Sequence, residues 1–195
     1  MTKRLGLATI LSAAVLFLSV VLLSQSPPSR KLVTFSEDAP GPVLTLTESG
    51  GMVAMAVSLK IYASGTAELE YWSGERLLRS ASVQPLSYEE MESLLSTIVD
   101  GYLAQYDEAH VRADIRKRYG DDDLLRSSDA GTFSATFRVR EYREGASEPV
   151  ELVKEVAVPG LQWQLAHFPA IREFQTLAVL RDRLSASRRT SGEWR

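Results

Sequence analysis

The stretch "WSGERLLRSASVQPLSYEEMESLLSTIVDGYL", residues 72–103, contains both kinds of element from which the fold is built. Its first half predicts a strand over 77–83 after a turn at Gly74, because glycine accepts the positive φ of a hairpin turn. Its second half begins with a capping box of Ser87 and Glu90. Apolar side chains then recur at helical spacing, at Met91, Leu94, Leu95, Ile98, Val99, Tyr102 and Leu103. The stretch therefore predicts a strand leading into an amphipathic helix with its apolar side in the core.

Strands and helices on both sides of this stretch complete the pattern. Alternation, helical spacing and turn residues predict strands over 43–47, 52–62, 67–72, 133–139 and 150–158, and helices over 107–119 and about 170–185. Strands followed by a helix thus occur twice. This order is typical of an α+β domain with helices packed on one face of an antiparallel sheet. We expect one such globular domain over residues 43–185, followed by a C-terminal tail over 186–195.

Residues 1–24 predict a membrane anchor. An uncharged stretch begins at Leu5 and ends at Leu23, and as a helix it spans roughly 28 Å, close to the ~30 Å thickness of a bilayer's hydrocarbon core. The best match to a signal-peptidase site selects the bond before Pro27, where a proline fits an extended protease-bound chain badly. We therefore expect a retained signal-anchor, a single transmembrane helix held in membrane lipid. Secretion after signal cleavage is the alternative.

The charges beside this helix predict its orientation. Lys3 and Arg4 precede it, whereas Arg30 and Lys31 follow it with two acidic residues close behind. The balance favours a cytoplasmic N-terminus. The globular domain then lies in the periplasm of a bacterium, attached to the inner membrane by a Ser- and Pro-rich tether over residues 25–42.

Composition excludes several classes of function. Residues beyond 24 hold all 25 acidic side chains and 20 of the 22 basic ones, a negative balance that argues against nucleic-acid binding. The chain has no Cys, which removes disulfides, thiolate metal sites, a catalytic Cys and the lipid-carrying Cys of a lipoprotein. With only two histidines, a transition-metal site lacks ligands. We predict no metal, no cofactor and no nucleic-acid partner.

Four short motifs lie in an order shared with a group of bacterial proteins. They are Ser49-Gly50-Gly51 at the end of a strand, Ser64-Gly65 in a turn, Pro85 to Ser87 before a helix, and Trp194 near the C-terminus. In this order the chain resembles bacterial envelope and secreted α+β domains of unknown function, whose architecture is similar to that of the emfourin-like metalloprotease inhibitors. The resemblance implies an α+β fold and, as an alternative function, an envelope protease inhibitor or ligand-binding module. The charged segment over 107–123, which looks like an insertion, departs from it.

Two clusters invite a catalytic or metal-binding interpretation. His110 has acidic neighbours, among them Asp107 and Glu108, so a hydrolase with a carboxylate-oriented base is one hypothesis. A solvated helix histidine is the preferred interpretation. The three aspartates at 121–123 offer oxygen ligands to Ca²⁺, but their spacing does not follow the alternate-residue pattern of a calcium loop. We therefore predict no catalytic residue.

Aromatic and basic side chains favour protein contact, since Trp and Arg most often anchor interfaces. The candidates come from a helix with a thin apolar face, which we expect on the surface or against another protein, from a predicted loop, and from the tail. They are Val111, Ile115 and Tyr119 on the helix, Trp163 in the loop, and Arg188, Arg189 and Trp194 in the tail. Two alternatives stay open, namely that Trp163 closes the core and that the tail is disordered.

These observations predict a non-catalytic interaction domain held at a membrane. We expect an accessory or scaffolding subunit of a larger bacterial membrane complex, with respiratory and photosynthetic complexes as examples of hosts. Its partners are then membrane lipid and one or more proteins in or at the membrane. The alternatives are the protease inhibitor or ligand-binding module and, least favoured, a hydrolase that uses His110.

Overall fold

The structure is a computed structural model that describes residues 34–36, 38–50, 54–120, 130–142, 148 and 150–191. The membrane helix expected over 1–24, the aspartates at 121–123 and the tail residue Trp194 lie outside the described residues, so the expectations about them remain predictions. Within the described part of the chain, no helix combines the length and the apolar character needed to cross a membrane.

Seven strands and four α-helices make up the described fold, and they confirm the predicted α+β class. The strands are β1 (Thr34–Phe35), β2 (Leu44–Ser49), β3 (Met55–Ile61), β4 (Ala67–Ser73), β5 (Arg76–Val83), β6 (Thr132–Tyr142) and β7 (Val150–Pro159). The helices are α1 (Tyr88–Asp100), α2 (Glu108–Tyr119), α3 (Leu161–His167) and α4 (Arg172–Thr190), with a 3-10 helix (Leu103–Gln105) between α1 and α2.

All paired strands of the single sheet are antiparallel. Strands β2 to β5 form a meander, and the chain then passes through α1 and α2 before it returns as β6. Strand β6 pairs with β1 and β2 along one edge and with β7 along the other. The sheet therefore ends at β5 on one side and at β7 on the other.

The two faces of the sheet differ because side chains alternate along every strand. On one face, apolar strand side chains join those of the helices in a single core. Its deeply buried members include Leu44, Leu46, Leu59, Ile61, Leu69, Phe133 and Phe137 from the strands, and Ile98, Ile115 and Phe174 from the helices. The other face carries Thr, Ser and charged side chains, and no described helix covers it. We call these the covered face and the open face.

Helix α1 begins at the predicted capping box. The Ser87 hydroxyl accepts the Glu90 N–H at 3.2 Å, and the Glu90 carboxylate accepts the Ser87 N–H at 2.9 Å. The hydrogen bond from the Ser87 backbone holds the pKa of Glu90 below its usual value. The helix ends at Asp100, short of the end that the apolar spacing predicts. Gly101 follows at a point where a Cβ would collide with the side chain of Thr176 in α4.

Helix α2 is more deeply buried than its thin apolar face predicts. Asp107 caps it by accepting the His110 N–H at 2.9 Å, and Gly120, with a φ of 73°, ends it as expected. Val111 and Ile115 are 1% and 0% exposed, so the prediction that they form a surface for another protein is wrong. Two apolar side chains one helical turn apart are enough to hold this face against the core.

Three other boundaries differ from those predicted. The loop expected around Trp163 is instead helix α3, which begins after Gly160 turns the chain with a φ of 57°. Helix α4 continues to Thr190, so the first part of the expected tail is helical. Phe35 pairs with β6 and is only 9% exposed, which means that the folded domain begins within the expected tether.

Candidate functional site

Two candidate surfaces lie at one end of the sheet, which we call the Gly74 end after the turn between β4 and β5. At this end Trp72 of β4 lies opposite Leu77 of β5. The first described residue lies at the other end of the sheet, where Thr34 pairs with Arg140 of β6. Both surfaces are therefore remote from the point at which the N-terminal segment joins the fold.

The first surface is a cleft of about 350 Å³, which we call the Trp163 cleft. It lies on the covered side, where β2 and β6 meet α3 and α4. Its lining residues include Glu48, Thr132, Phe133, Leu161, Trp163 and Arg181. The volume lies within the range of sites that take small molecules, and the lining combines apolar side chains with a few charged ones.

Three glycines allow the backbone segments beside the cleft to approach closely. Gly50 has a φ of 102°, and a Cβ on it would lie 3.0 Å from the Cα of Gly131. The Gly160 N–H donates to the carbonyl of Gly131 at 2.8 Å. Larger residues at these positions would separate the strand ends that border the cleft.

A glutamate and two arginines of α4 form the polar wall. Glu48 is only 25% exposed, although it carries a charge on the covered face. The Arg181 guanidinium donates to Oε1 of Glu48 from Nε at 2.7 Å and from Nη2 at 2.6 Å, and Arg188 Nη1 lies 3.3 Å from Oε2. One carboxylate thus faces two guanidinium groups of the same helix. The Nη1 donor of Arg181 has no partner among the described residues.

Aromatic contacts hold the opposite wall. Trp163 stacks on His167 with ring centroids 3.9 Å apart, and the His167 Nδ1 lies 3.0 Å from the Trp163 carbonyl oxygen. Phe168 meets the Trp163 ring edge-on at 5.9 Å and the Tyr119 ring at 5.3 Å. The Tyr119 hydroxyl accepts the Ala170 N–H at 2.8 Å. This chain of contacts fixes the indole of Trp163 beside the cleft.

The second surface, which we call the β4–β5 corner, consists of Trp72, Leu77 and Leu78 with the arginines at 76 and 79 at the same strand ends. Arg79 pairs with the buried Tyr71 and so lies on the covered face, where its Nη2 donates to the Ser191 carbonyl at 3.5 Å. Leu77 and Leu78 are 44% and 48% exposed. Leu78 is the extra residue of a β-bulge, since Arg79 pairs with Tyr71 and Leu77 pairs with Trp72. Because β5 ends the sheet, its outer backbone groups have no neighbouring strand among the described residues.

A buried carboxylate orients the aromatic ring of this corner. Glu70 on the open face is 8% exposed in its side chain and accepts the indole N–H of Trp72 at 2.9 Å. Its other oxygen accepts from Lys60 Nζ at 2.7 Å. This hydrogen bond raises the pKa of Lys60 above its ordinary value of 10.5 and outweighs the opposing effect of burial. The indole is thereby held against the sheet.

The structure brings two of the residues predicted for protein contact to the cleft. Trp163 lines it, and Arg188 contacts its polar wall through Glu48. Tyr119 is 37% exposed and supports Phe168 behind Trp163. Arg189 is exposed on α4 and lies apart from the lining residues of the cleft.

Sequence reasoning missed three central residues of these surfaces. Glu48 had a detectable signal, because it follows Leu44 and Leu46 at alternate positions and so falls on the apolar side of a strand. An acid at such a position predicts a charged partner. Arg181 had no comparable signal among the many charged residues of α4, and Trp72 was treated only as the end of a strand.

The surroundings of His110 are those of an ordinary helix surface. His110 is exposed, Asp107 caps the helix, and Glu108 accepts from Arg112 at 2.7 Å. Asp114 pairs with a different arginine one turn further on. Across the part of the chain that the structure describes, no three acidic or histidine side chains are grouped as metal ligands.

Comparisons with protein-family models, with curated proteins and with solved structures found no match to this chain. The resemblance to bacterial envelope domains therefore remains a prediction.

Proposed function

We propose that this protein is a non-catalytic interaction domain held at a bacterial inner membrane, and that it docks on a partner protein through the β4–β5 corner. A single observation carries the proposal: β5 is an edge strand with no outer neighbour among the described residues, and its Leu77 and Leu78 are exposed beside an oriented Trp72. The uncharged stretch that begins at Leu5 and ends at Leu23 supports the anchoring. In this role the protein is an accessory subunit of a larger complex.

The composition of the corner favours a protein partner. Trp and Arg are enriched among the residues that dominate binding energy, and an exposed edge strand offers backbone donors and acceptors to an added strand. The bulge at Leu78 interrupts the edge of β5. An added strand can therefore pair regularly only with the residues of β5 that follow Leu78. Leu77 and Leu78 then supply apolar contact next to that paired segment.

The charges of the corner indicate the chemistry of the partner. Arg76 and Arg79 outnumber the neighbouring Glu75, so an extended segment that carries carboxylates fits best. Pairing of β5 with β5 of a second copy would bring the arginines of both copies together, which like-charge repulsion disfavours. The proposed occupant is therefore an acidic, partly apolar segment of a different protein.

The position of the corner suits this role. Thr34 lies at the other end of the sheet from Gly74, so a membrane segment before residue 34 would attach at the end remote from the corner.

The test is photo-crosslinking of the full chain in membranes of the organism that makes it. A benzophenone side chain replaces Leu77 in one variant and Val179 in another, since Val179 is also exposed, at 56%, but lies on α4. We expect adducts from position 77 alone, mapped by mass spectrometry to an acidic segment of one other protein. The double substitution Arg76→Glu and Arg79→Glu should remove them, and the intact mass of the purified chain should include residues 1–24.

Several results would contradict the proposal. Equal yields at both positions, or no adduct at either, would show that the corner is not a docking surface. Adducts with a second copy or with lipid alone would replace the partner protein by self-association or by membrane contact. Thermal unfolding of the double variant at the wild-type temperature establishes that lost adducts do not reflect unfolding.

A further inference from the structure

We infer that the Trp163 cleft is a binding site for a carboxylate attached to an apolar, preferably aromatic, group. The cleft lies on the covered side between the sheet and two helices, whereas Trp72 and Leu77 of the corner lie on the open face. The inference is therefore independent of the proposed docking at the corner, and either one can fail alone.

The polar wall of the cleft supplies a hydrogen-bond donor, Arg181, for the carboxylate of the ligand. Arg181 uses Nε and Nη2 to hold Glu48, and no residue that the structure describes accepts from its Nη1. Arg188 contacts the other oxygen of Glu48. A guanidinium in this arrangement forms strong, charge-assisted hydrogen bonds with an incoming carboxylate.

The apolar group of the ligand would lie against the other walls of the cleft, which include Trp163. Phe133 and Leu161 line the cleft but are core residues, only 2% and 3% exposed, so they offer a ligand little surface of their own. The ring of Trp163 is held by its stack on His167 and offers an aromatic contact. A volume of about 350 Å³ accommodates a single aromatic ring system with a short acidic chain.

Two sources share this chemistry. One is a free aromatic acid, and the other is the C-terminal carboxylate of a peptide that ends in an aromatic residue. Both present a planar apolar group and a carboxylate within a few bonds of each other, so the cleft alone does not distinguish them. The experiment has one arm for each source.

The test uses two-dimensional nitrogen-15 NMR of the full chain. The chain has three Trp residues, hence three indole N–H signals, and Trp163→Phe identifies the one in the cleft. The probes are indole-3-acetate and an acetylated tetrapeptide ending in Phe, each compared with its neutral amide. We expect a saturable shift of the Trp163 signal with at least one acid, and about tenfold or more weaker binding of its amide. The acid that binds more tightly identifies the source.

Two variants sharpen the result. Arg181→Gln should weaken binding of the acid about tenfold or more, whereas Arg112→Gln, which changes an ion-paired arginine on α2, should leave it within about twofold. If Arg181→Gln does not fold, the comparison of the acid with its amide on the wild-type chain still shows whether the cleft recognises a carboxylate. Equal binding of acid and amide overturns the inference, as does an unchanged Trp163 signal with every probe at about 10 mM.

Discussion

Each face of the sheet carries a partly or fully buried glutamate, and the two faces neutralise that charge in different ways. On the covered face, Glu48 is held by Arg181 and Arg188, which lie 133 and 140 residues further along the chain. On the open face, Glu70 is held by Lys60 and Trp72, only 10 and 2 residues away. The first cluster joins the helices to the sheet, and the second lies within neighbouring strands of the sheet.

The difference shows how each candidate surface depends on the fold. The Trp163 cleft needs β2, β6, α3 and α4 to be assembled at once, because its lining residues come from all four. The β4–β5 corner needs only neighbouring strands and a turn at Gly74. Substitutions that loosen the helix layer should therefore damage the cleft before the corner.

The largest expected effect contrasts two neighbouring residues of β6. Phe137 is 1% exposed on the covered face, and Thr136 points to the open face. We expect Phe137→Ala to lower the free energy of unfolding by about 3–5 kcal/mol, because it leaves a cavity in the core. Thr136→Ala should cost less than about 1 kcal/mol. Urea denaturation of both variants measures the difference, and equal losses would mean that the open face is covered in solution.

An intermediate effect compares the two glutamates. Glu70→Gln should lower the free energy of unfolding by about 1–3 kcal/mol, since it removes a charged acceptor that is largely shielded from water. Glu48→Gln should cost about 1 kcal/mol or less, because Glu48 and both of its arginines keep a quarter or more of their exposure. Urea denaturation at neutral pH ranks the two variants.

A double-mutant cycle separates the ion pair on the open face from other effects of the substitution. The cycle combines Glu70→Gln with Lys60→Met, and a coupling energy near zero would show that the pair itself adds nothing to stability. A larger loss for Glu48→Gln than for Glu70→Gln would reverse the ranking. The polar wall of the cleft would then be a principal support of the fold.

The smallest expected effect is a dependence on alkaline pH. The pKa of Lys60 is raised by its hydrogen bond to Glu70, so its contribution is complete below pH 10.5 and is lost as the pH rises through the higher value in the folded state. Burial raises the pKa of Tyr106 from 10.0 to about 12, which also destabilises the fold as the pH passes 10. Both groups therefore act in the same direction.

Thermal unfolding between pH 9 and pH 11 isolates the Lys60 contribution when Tyr106→Phe is the parent chain. In that background, Glu70→Gln should show a shallower loss of stability with rising pH than the parent. Identical slopes would mean that the charge of Lys60 does not depend on Glu70 in solution.

Local patterns predicted most of the secondary structure. The capping box of Ser87 and Glu90, the acid at Asp107 and the glycine at Gly120 each act within one helical turn, so sequence alone determines them. Strand alternation over residues 133–139 likewise placed its side chains on the correct faces. These elements were predictable because the interactions that define them join residues only a few positions apart in the sequence.

The predictions that failed concern features that depend on contacts between residues distant in the sequence. Helix α3 has only seven residues, and its Trp163 follows a glutamine, so no apolar period was long enough to indicate a helix. Val111 and Ile115 are too few to predict the burial of α2 from a pattern. The contact of Glu48 with Arg181 joins residues that nothing in the sequence relates, and the cleft could not be predicted without it.

The shortest strand has a mechanical consequence. β1 pairs with β6 through only two residues, Thr34 and Phe35, while Val43 and the strand after it are bound firmly to their neighbours. A force that pulls on the chain before residue 34 would meet β1 first and detach it while the rest of the sheet stays intact. Release of residues 34–42 would add about 30 Å of extended chain. The fold thus contains a short segment that can extend under a pull at the loss of one core side chain, Phe35, while the pairing of β2 with β3 and β6 is kept.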